Sequence, residues 1–80
     1  MKKYSISVAI DSVLDNFFLV HKDINTISGL YNMVIKEVET TLIKKTMALT
    51  DRNKRKTAKI LGISRNTLLS KIKSLNLEEN

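Results

Sequence analysis

The chain has 80 residues, no cysteine, no proline and one histidine, with a formal net charge of +6. Without cysteine there is no disulfide framework, and a lone histidine cannot complete a conventional structural zinc site; so short and unstapled a chain is expected to finish its core against a second copy. No segment approaches the ~20 apolar residues that span a bilayer, and Asp11 and Asp15 interrupt the first apolar stretch before a signal-peptide core can form, so a cytoplasmic protein without a membrane partner is expected.

Two glycines, Gly29 and Gly62, are the only strong breakers, which predicts an all-α chain. The first helix runs from about Ile6 to Val20. Ile10, Val13, Leu14, Phe17 and Phe18 recur at three- and four-residue spacing, with Asp11 and Asp15 turned away. Ile10, Val13 and Phe17 are read as a dimer seam. His21, at the end of this helix, is expected to serve the helix C-terminus and no chemistry. A polar connection from Lys22 to Ser28 follows, with Ser28 as the expected N-cap.

A long helix is predicted from Leu30 to about Leu49. Leu30, Val34, Val38, Leu42 and Leu49 form its apolar face, widened by Tyr31, Met33, Ile35, Ile43 and Met47. Twenty such residues make a rod of about 30 Å. One neighbouring helix cannot cover so wide a face, which adds Val34, Val38 and Leu42 to the expected dimer interface. Lys36, Glu37, Glu39, Lys44 and Lys45 read as its solvated remainder.

Residues 1–40 carry four lysines against five acids, whereas residues 41–80 carry ten basic residues against three. The run from Arg52 to Lys73 holds Arg52, Lys54, Arg55, Lys56, Lys59, Arg65, Lys71 and Lys73 and no acid. Such asymmetry points to a polyanionic partner. The stretch lacks the aromatic anchors of a membrane-surface helix, which favours nucleic acid. Asn53 is the expected cap of a third, short helix from about Lys54 to Leu61, with Ala58 and Leu61 facing inward. Gly62 supplies a tight turn. Ser64 caps a fourth helix from Arg65 to about Leu75, whose core stripe is Leu68, Ile72 and Leu75. The 78–80 tail is expected to fray.

Two short helices around a glycine turn, wrapped in positive charge, are the pattern of a helix-turn-helix that binds double-stranded DNA. Lys54, Arg55, Lys56, Lys59, Lys71 and Lys73 suit phosphate contacts, which position without reading sequence. Ser64, Arg65, Asn66 and Thr67 open the helix that enters the major groove. There Arg can pair with guanine and Asn with adenine, and Thr67 can donate to a phosphate. A solvated helical hairpin without a partner is the alternative. No nucleophile stands beside a plausible base, and there is no phosphate loop or metal-ligand cluster, so neither catalysis nor a cofactor is expected.

The chain resembles the Fis family (factor for inversion stimulation) of bacterial nucleoid proteins over roughly residues 8–77. The likeness is carried by Leu30-Tyr31, Val34, Glu37-Val38-Glu39, Leu42, Thr50, Asn53, Ala58, Gly62-Ile63-Ser64-Arg65, Thr67-Leu68, Lys71 and Lys73. The same fold ends many enhancer-binding activators. The Leu30-Tyr31 and Glu37-Val38-Glu39 signatures and the chain length favour the standalone kind. The resemblance implies a single domain over 1–80 in which residues 6–49 dimerise and 50–77 form the DNA-binding unit, giving an intertwined homodimer of four-helix subunits. It implies recognition helices closer than one DNA turn, hence bent DNA, preference for deformable A/T-rich centres, a place in the nucleoid, and RNA polymerase as a further partner. By the same likeness Ser64 and Arg65 read bases, while Asn53, Arg55, Thr67 and Lys71 hold the backbone. Ser64 stands where the family commonly has Asn, and Leu69 and Ser70 where it usually has basic residues. The short N-terminus leaves little room for the hairpin that touches a recombinase, so recombination enhancement is not expected. A more specific regulator, or a helical adaptor that has lost DNA binding, are the rival functions.

Overall fold

The computed structural model describes residues 5–78, all of them helix, turn or irregular chain. The helices are α1 (Ile6–Val20), α2 (Leu30–Leu49), α3 (Lys54–Leu61) and α4 (Arg65–Ser74), with a single 3₁₀ turn at Ile24–Thr26 in the α1–α2 connection. Side-chain caps decide three of the starts. Ser5 accepts from Val8 N–H, Asn53 from Lys56 N–H and Ser64 from Thr67 N–H, each satisfying one donor that the first turn leaves without a partner. The expected cap at Ser28 is corrected. Gly29, with φ of 70°, stands immediately before Leu30, so Ser28 lies one residue too early. The expected fraying of the tail lies outside the described residues at positions 79 and 80.

The ends of α2, α3 and α4 share one device. At the end of α3, Gly62 takes φ of 75° and donates to Ala58 O at 2.9 Å and Lys59 O at 3.2 Å, while Ile63 N–H reaches back to Ala58 O at 3.1 Å. This paired arrangement satisfies the last carbonyls, and the left-handed residue reverses the chain. Past α4, Asn76 (φ 57°) takes the same role, with Leu77 N–H on Ile72 O at 2.8 Å. Past α2, Asp51 (φ 56°) does so, with Arg52 N–H on Met47 O at 2.8 Å, and Arg52 is itself left-handed at φ of 65°. Ile63 and Leu77, the residues just past two of these turns, pack onto the core.

The chain divides into two compact units, one running to Leu30 and one from Tyr31 onward. In the first, no residue of α1 is buried. Phe17 meets Phe18 edge-on at 5.5 Å between ring centroids and stacks on His21 at 4.1 Å. His21 closes α1, with its backbone N–H and ring Nδ1 both on Phe17 O at 3.0 Å. That is the C-terminal role its position predicts.

The second unit is built on Ile43, Met47, Ala58, Leu68 and Ile72, joined by Leu61, Ile63, Leu75 and Leu77 at the margin. Helix α2 therefore supplies one wall of the core, and α3 and α4 supply the others. Thr57 is fully buried, yet its hydroxyl lies 2.6 Å from that of Thr50, which also bonds Met47 O and Asn53 O. Among the described residues no buried side-chain nitrogen or oxygen lacks a partner. No helix among them is long and apolar enough to cross a membrane.

Candidate nucleic-acid interface

Helix α3 presents two unlike sides. Thr57, Ala58 and Leu61 point to the core, while Arg55, Lys56, Lys59 and Ile60 are exposed. At about 100° per residue, Arg55, Lys56 and Lys59 form one contiguous basic face opposite the core. Lys59, four residues beyond Arg55, extends that face. Lys54, in the first turn, is half-buried and contributes less accessible charge.

The start of α4 is open. Ser64, Arg65, Asn66 and Thr67 are all exposed, whereas Leu68, directly behind them, is fully buried and anchors the helix. Ser64 has two bonds to Thr67: it accepts the Thr67 N–H at 3.0 Å and donates to Thr67 Oγ1 at 2.9 Å. Its hydroxyl proton is spent on Thr67. Thr67, an acceptor in that bond, keeps its own O–H to give to an anion. Asn53 divides its amide in the same manner. Oδ1 takes the Lys56 N–H at 3.0 Å, and the Nδ2 hydrogens have no partner among the described residues.

Further along α4, Ser70 and Lys73 are exposed and Leu69 is half-buried. Lys71 is half-buried, and its ammonium donates to Glu39 Oε2 at 2.8 Å across to α2. The sequence reading places Glu39 among solvated charges. Its partner stands 32 positions away, and no local spacing signals the pair. The fold thus brings Asn53, Arg55, Lys56, Ser64, Arg65, Asn66, Thr67 and Lys73 to the surface of one unit, with Lys54 and Lys71 partly withdrawn.

The expected seam residues show equally distinct surroundings. Val13 is 66% exposed, and Ile10, Val38 and Leu42 are exposed as well, while Phe17 and Val34 are half-buried. Among the described residues no group of His, Cys, Asp and Glu is arranged to hold a metal ion.

Two short helices meeting at a glycine turn, the second with an open polar start, define a helix-turn-helix. The sequence model described as "Bacterial regulatory protein, Fis family" matches residues 34–75. The chain is 40% identical over 73 residues to the DNA-binding transcriptional regulator NtrC of Azospirillum brasilense, covering 91% of this chain and 15% of that protein. It is 35% identical over 71 residues to the DNA-binding protein Fis of Buchnera aphidicola, covering 89% of this chain and 72% of that one. A putatively assigned Fis-like DNA-binding protein of Pseudomonas aeruginosa is 33% identical over 69 residues, with 86% of this chain and 65% of that protein covered. The chain belongs to the Fis family of bacterial regulatory proteins and carries its helix-turn-helix DNA-binding domain. It spans about 10–15% of the length of the NtrC relatives it matches, so long regulators and short Fis proteins are both among its kin.

Proposed function

We propose that this protein is a transcriptional regulator that binds double-stranded DNA as a homodimer, bends it, and prefers sites with A/T-rich centres. The observation that carries the reading is the open start of α4. Arg65 and Asn66 are exposed at the first turns of a helix anchored by buried Leu68, beside the acid-free basic face of α3. That is the arrangement a recognition helix needs in order to reach base edges while its neighbour grips phosphate. Arg65 takes the guanine-reading role and Asn66 an adenine-reading one. Arg55, Lys56, Lys73, Thr67 and the free amide of Asn53 hold the backbone, with Lys54 and Lys71 as lesser contributors. The descriptions of the relatives as DNA-binding regulators and DNA-binding proteins support this assignment.

Dimerisation is supported by the exposed apolar positions of both long helices and by the small core of the second unit, five buried apolar side chains. Bending follows for a dimer whose recognition helices are closer than one helical turn of DNA, about 34 Å. Compression of the intervening minor groove then favours A/T-rich centres. Contact with RNA polymerase and residence in the nucleoid belong to the same proposal.

A fluorescence-anisotropy titration against an A/T-centred duplex, repeated at several salt concentrations, tests it. Salt-sensitive binding that saturates at two chains per duplex and is lost in Arg65→Glu is the expected result. Absence of binding even at low salt would refute it and leave the rival reading, a helical adaptor, for which half-buried Leu69 and neutral Ser70 on α4 are the features in favour.

A further inference from the structure

Lys71 differs from four other cations of the same unit. Arg55, Lys56, Lys59 and Lys73 are exposed and have no ion pair among the described residues, whereas the Lys71 ammonium is bonded to Glu39 Oε2 at 2.8 Å. The two side chains are 37% and 34% exposed, so solvent screens the pair and an arriving anion can reach it. Lys71 also lies on the same side of α4 as Thr67, four residues earlier. Thr67 has its hydroxyl proton free to give to an anion because Ser64 donates to its oxygen. A phosphate held by Thr67 therefore approaches a cation whose charge is already matched by a carboxylate.

We propose that Glu39 is an intramolecular rival of DNA phosphate for Lys71, lowering affinity for duplex and restraining indiscriminate binding. The inference rests on the DNA-binding reading above. The ammonium has three hydrogens and gives one to Glu39, so geometry alone would let it serve both partners. Charge decides otherwise, because the carboxylate repels any phosphate brought to the same ammonium. Glutamine at position 39 keeps the acceptor oxygen and the shape of the side chain but removes that repulsion. Glu39→Gln thus separates aiming of Lys71 from competition for it.

The test is anisotropy binding of wild type, Glu39→Gln, Lys71→Met and the double variant to one A/T-centred duplex across a salt series, with helix content and melting followed by circular dichroism. Glu39→Gln is expected to bind about two- to fivefold tighter. Its plot of log K against log salt should steepen by about 0.9 per chain, the signature of one further phosphate neutralised. Lys71→Met alone should change the slope by well under that amount, and in the Glu39→Gln background it should restore the wild-type slope. Equal or weaker binding by a folded Glu39→Gln protein overturns the proposal. So does a full loss of about 0.9 in slope per chain from Lys71→Met alone, a result that needs no folded Glu39 variant. Wild-type protein that fails to bind duplex at low salt would overturn the DNA-binding reading instead, and the two failures are thereby distinguished.

Discussion

At Ser64 one hydroxyl faces two demands. It accepts the Thr67 N–H and donates to Thr67 Oγ1, so it is committed to the start of α4 and has little left for a base edge. Arg65, next in the chain, is exposed and makes no comparable bond. Ser64→Ala is therefore expected to cost about 1 kcal/mol of stability as a lost cap, read by urea unfolding, with base preference unchanged. Arg65→Ala is expected to leave stability within about 0.5 kcal/mol and to erase about 1–3 kcal/mol of preference at one G·C pair, read by titrating duplexes substituted one pair at a time. A change of base preference in Ser64→Ala would return a reading role to that serine. Backbone conformation gives a second residue-scale contrast. Gly62 has φ of 75° and open space where a Cβ would stand, so Gly62→Ala should cost about 1 kcal/mol from conformation alone. Asp51, with φ of 56°, reverses the sign. Asp51→Gly should raise the melting temperature, because glycine adopts the left-handed region without penalty. The pair of melts checks both.

Helix α2 is the element in which two tasks meet. Ile43, Thr46 and Met47 are buried, with Glu39 and Thr50 half-buried on the same side, and they line the core of the DNA-binding unit. Tyr31, Ile35, Val38, Leu42 and Leu49 are exposed and fall about 100° around the helix from that side. One apolar stripe therefore holds α3 and α4, and a separate one is available to a second chain. Helix α1 repeats the pattern, since Ile6, Ile10, Val13, Phe17 and Val20 alternate at four- and three-residue steps, the spacing of a coiled-coil seam, and none is buried. The double variant Val38→Lys with Leu42→Lys should lower the sedimentation-equilibrium mass to that of one chain at micromolar concentration. Its helix content should stay largely intact, because neither residue belongs to the core. A dimer that survives would shift the contact to α1. The helix limits were legible in the sequence because local chemistry sets them. Asn53, Gly62 and Ser64 act within three or four residues, and their types announce the role. The division of α2 into two stripes was not legible, because Ile43 and Leu42 are equally apolar and only the packing of Leu68 and Ile72 selects one for the core. Nor was the Asp51–Arg52 turn, where neither residue type advertises a left-handed conformation as glycine does. The Glu39–Lys71 pair was hidden for a third reason, since the two residues meet only once α4 is docked on α2.

For the whole molecule, charge placement and copy number combine into one measurable slope. The net charge of +6 is the sum of a nearly neutral first half and a strongly basic second half, so the cations gather on the unit that carries the recognition helix. Arg55, Lys56, Lys59 and Lys73 are exposed and without an ion pair among the described residues, which sets the scale of phosphate contact at about four per chain. Each phosphate neutralised contributes about 0.9 to the slope of log K against log salt. A dimer engaging both units should then show a slope of about −7, and affinity should fall by about four orders of magnitude between roughly 50 and 200 mM salt. A single chain on DNA should show about half that slope. Repeating the titration with the Val38→Lys, Leu42→Lys variant connects the two quantities. If dimerisation delivers both basic units to one duplex, the variant's slope should halve along with its mass. An unchanged slope in a monomeric variant would mean that a single chain supplies all the phosphate contacts, and the two-unit, bent-DNA arrangement would fall. The measurement therefore tests the dimer through the electrostatics of the complex, with the mass of the free variant as its companion.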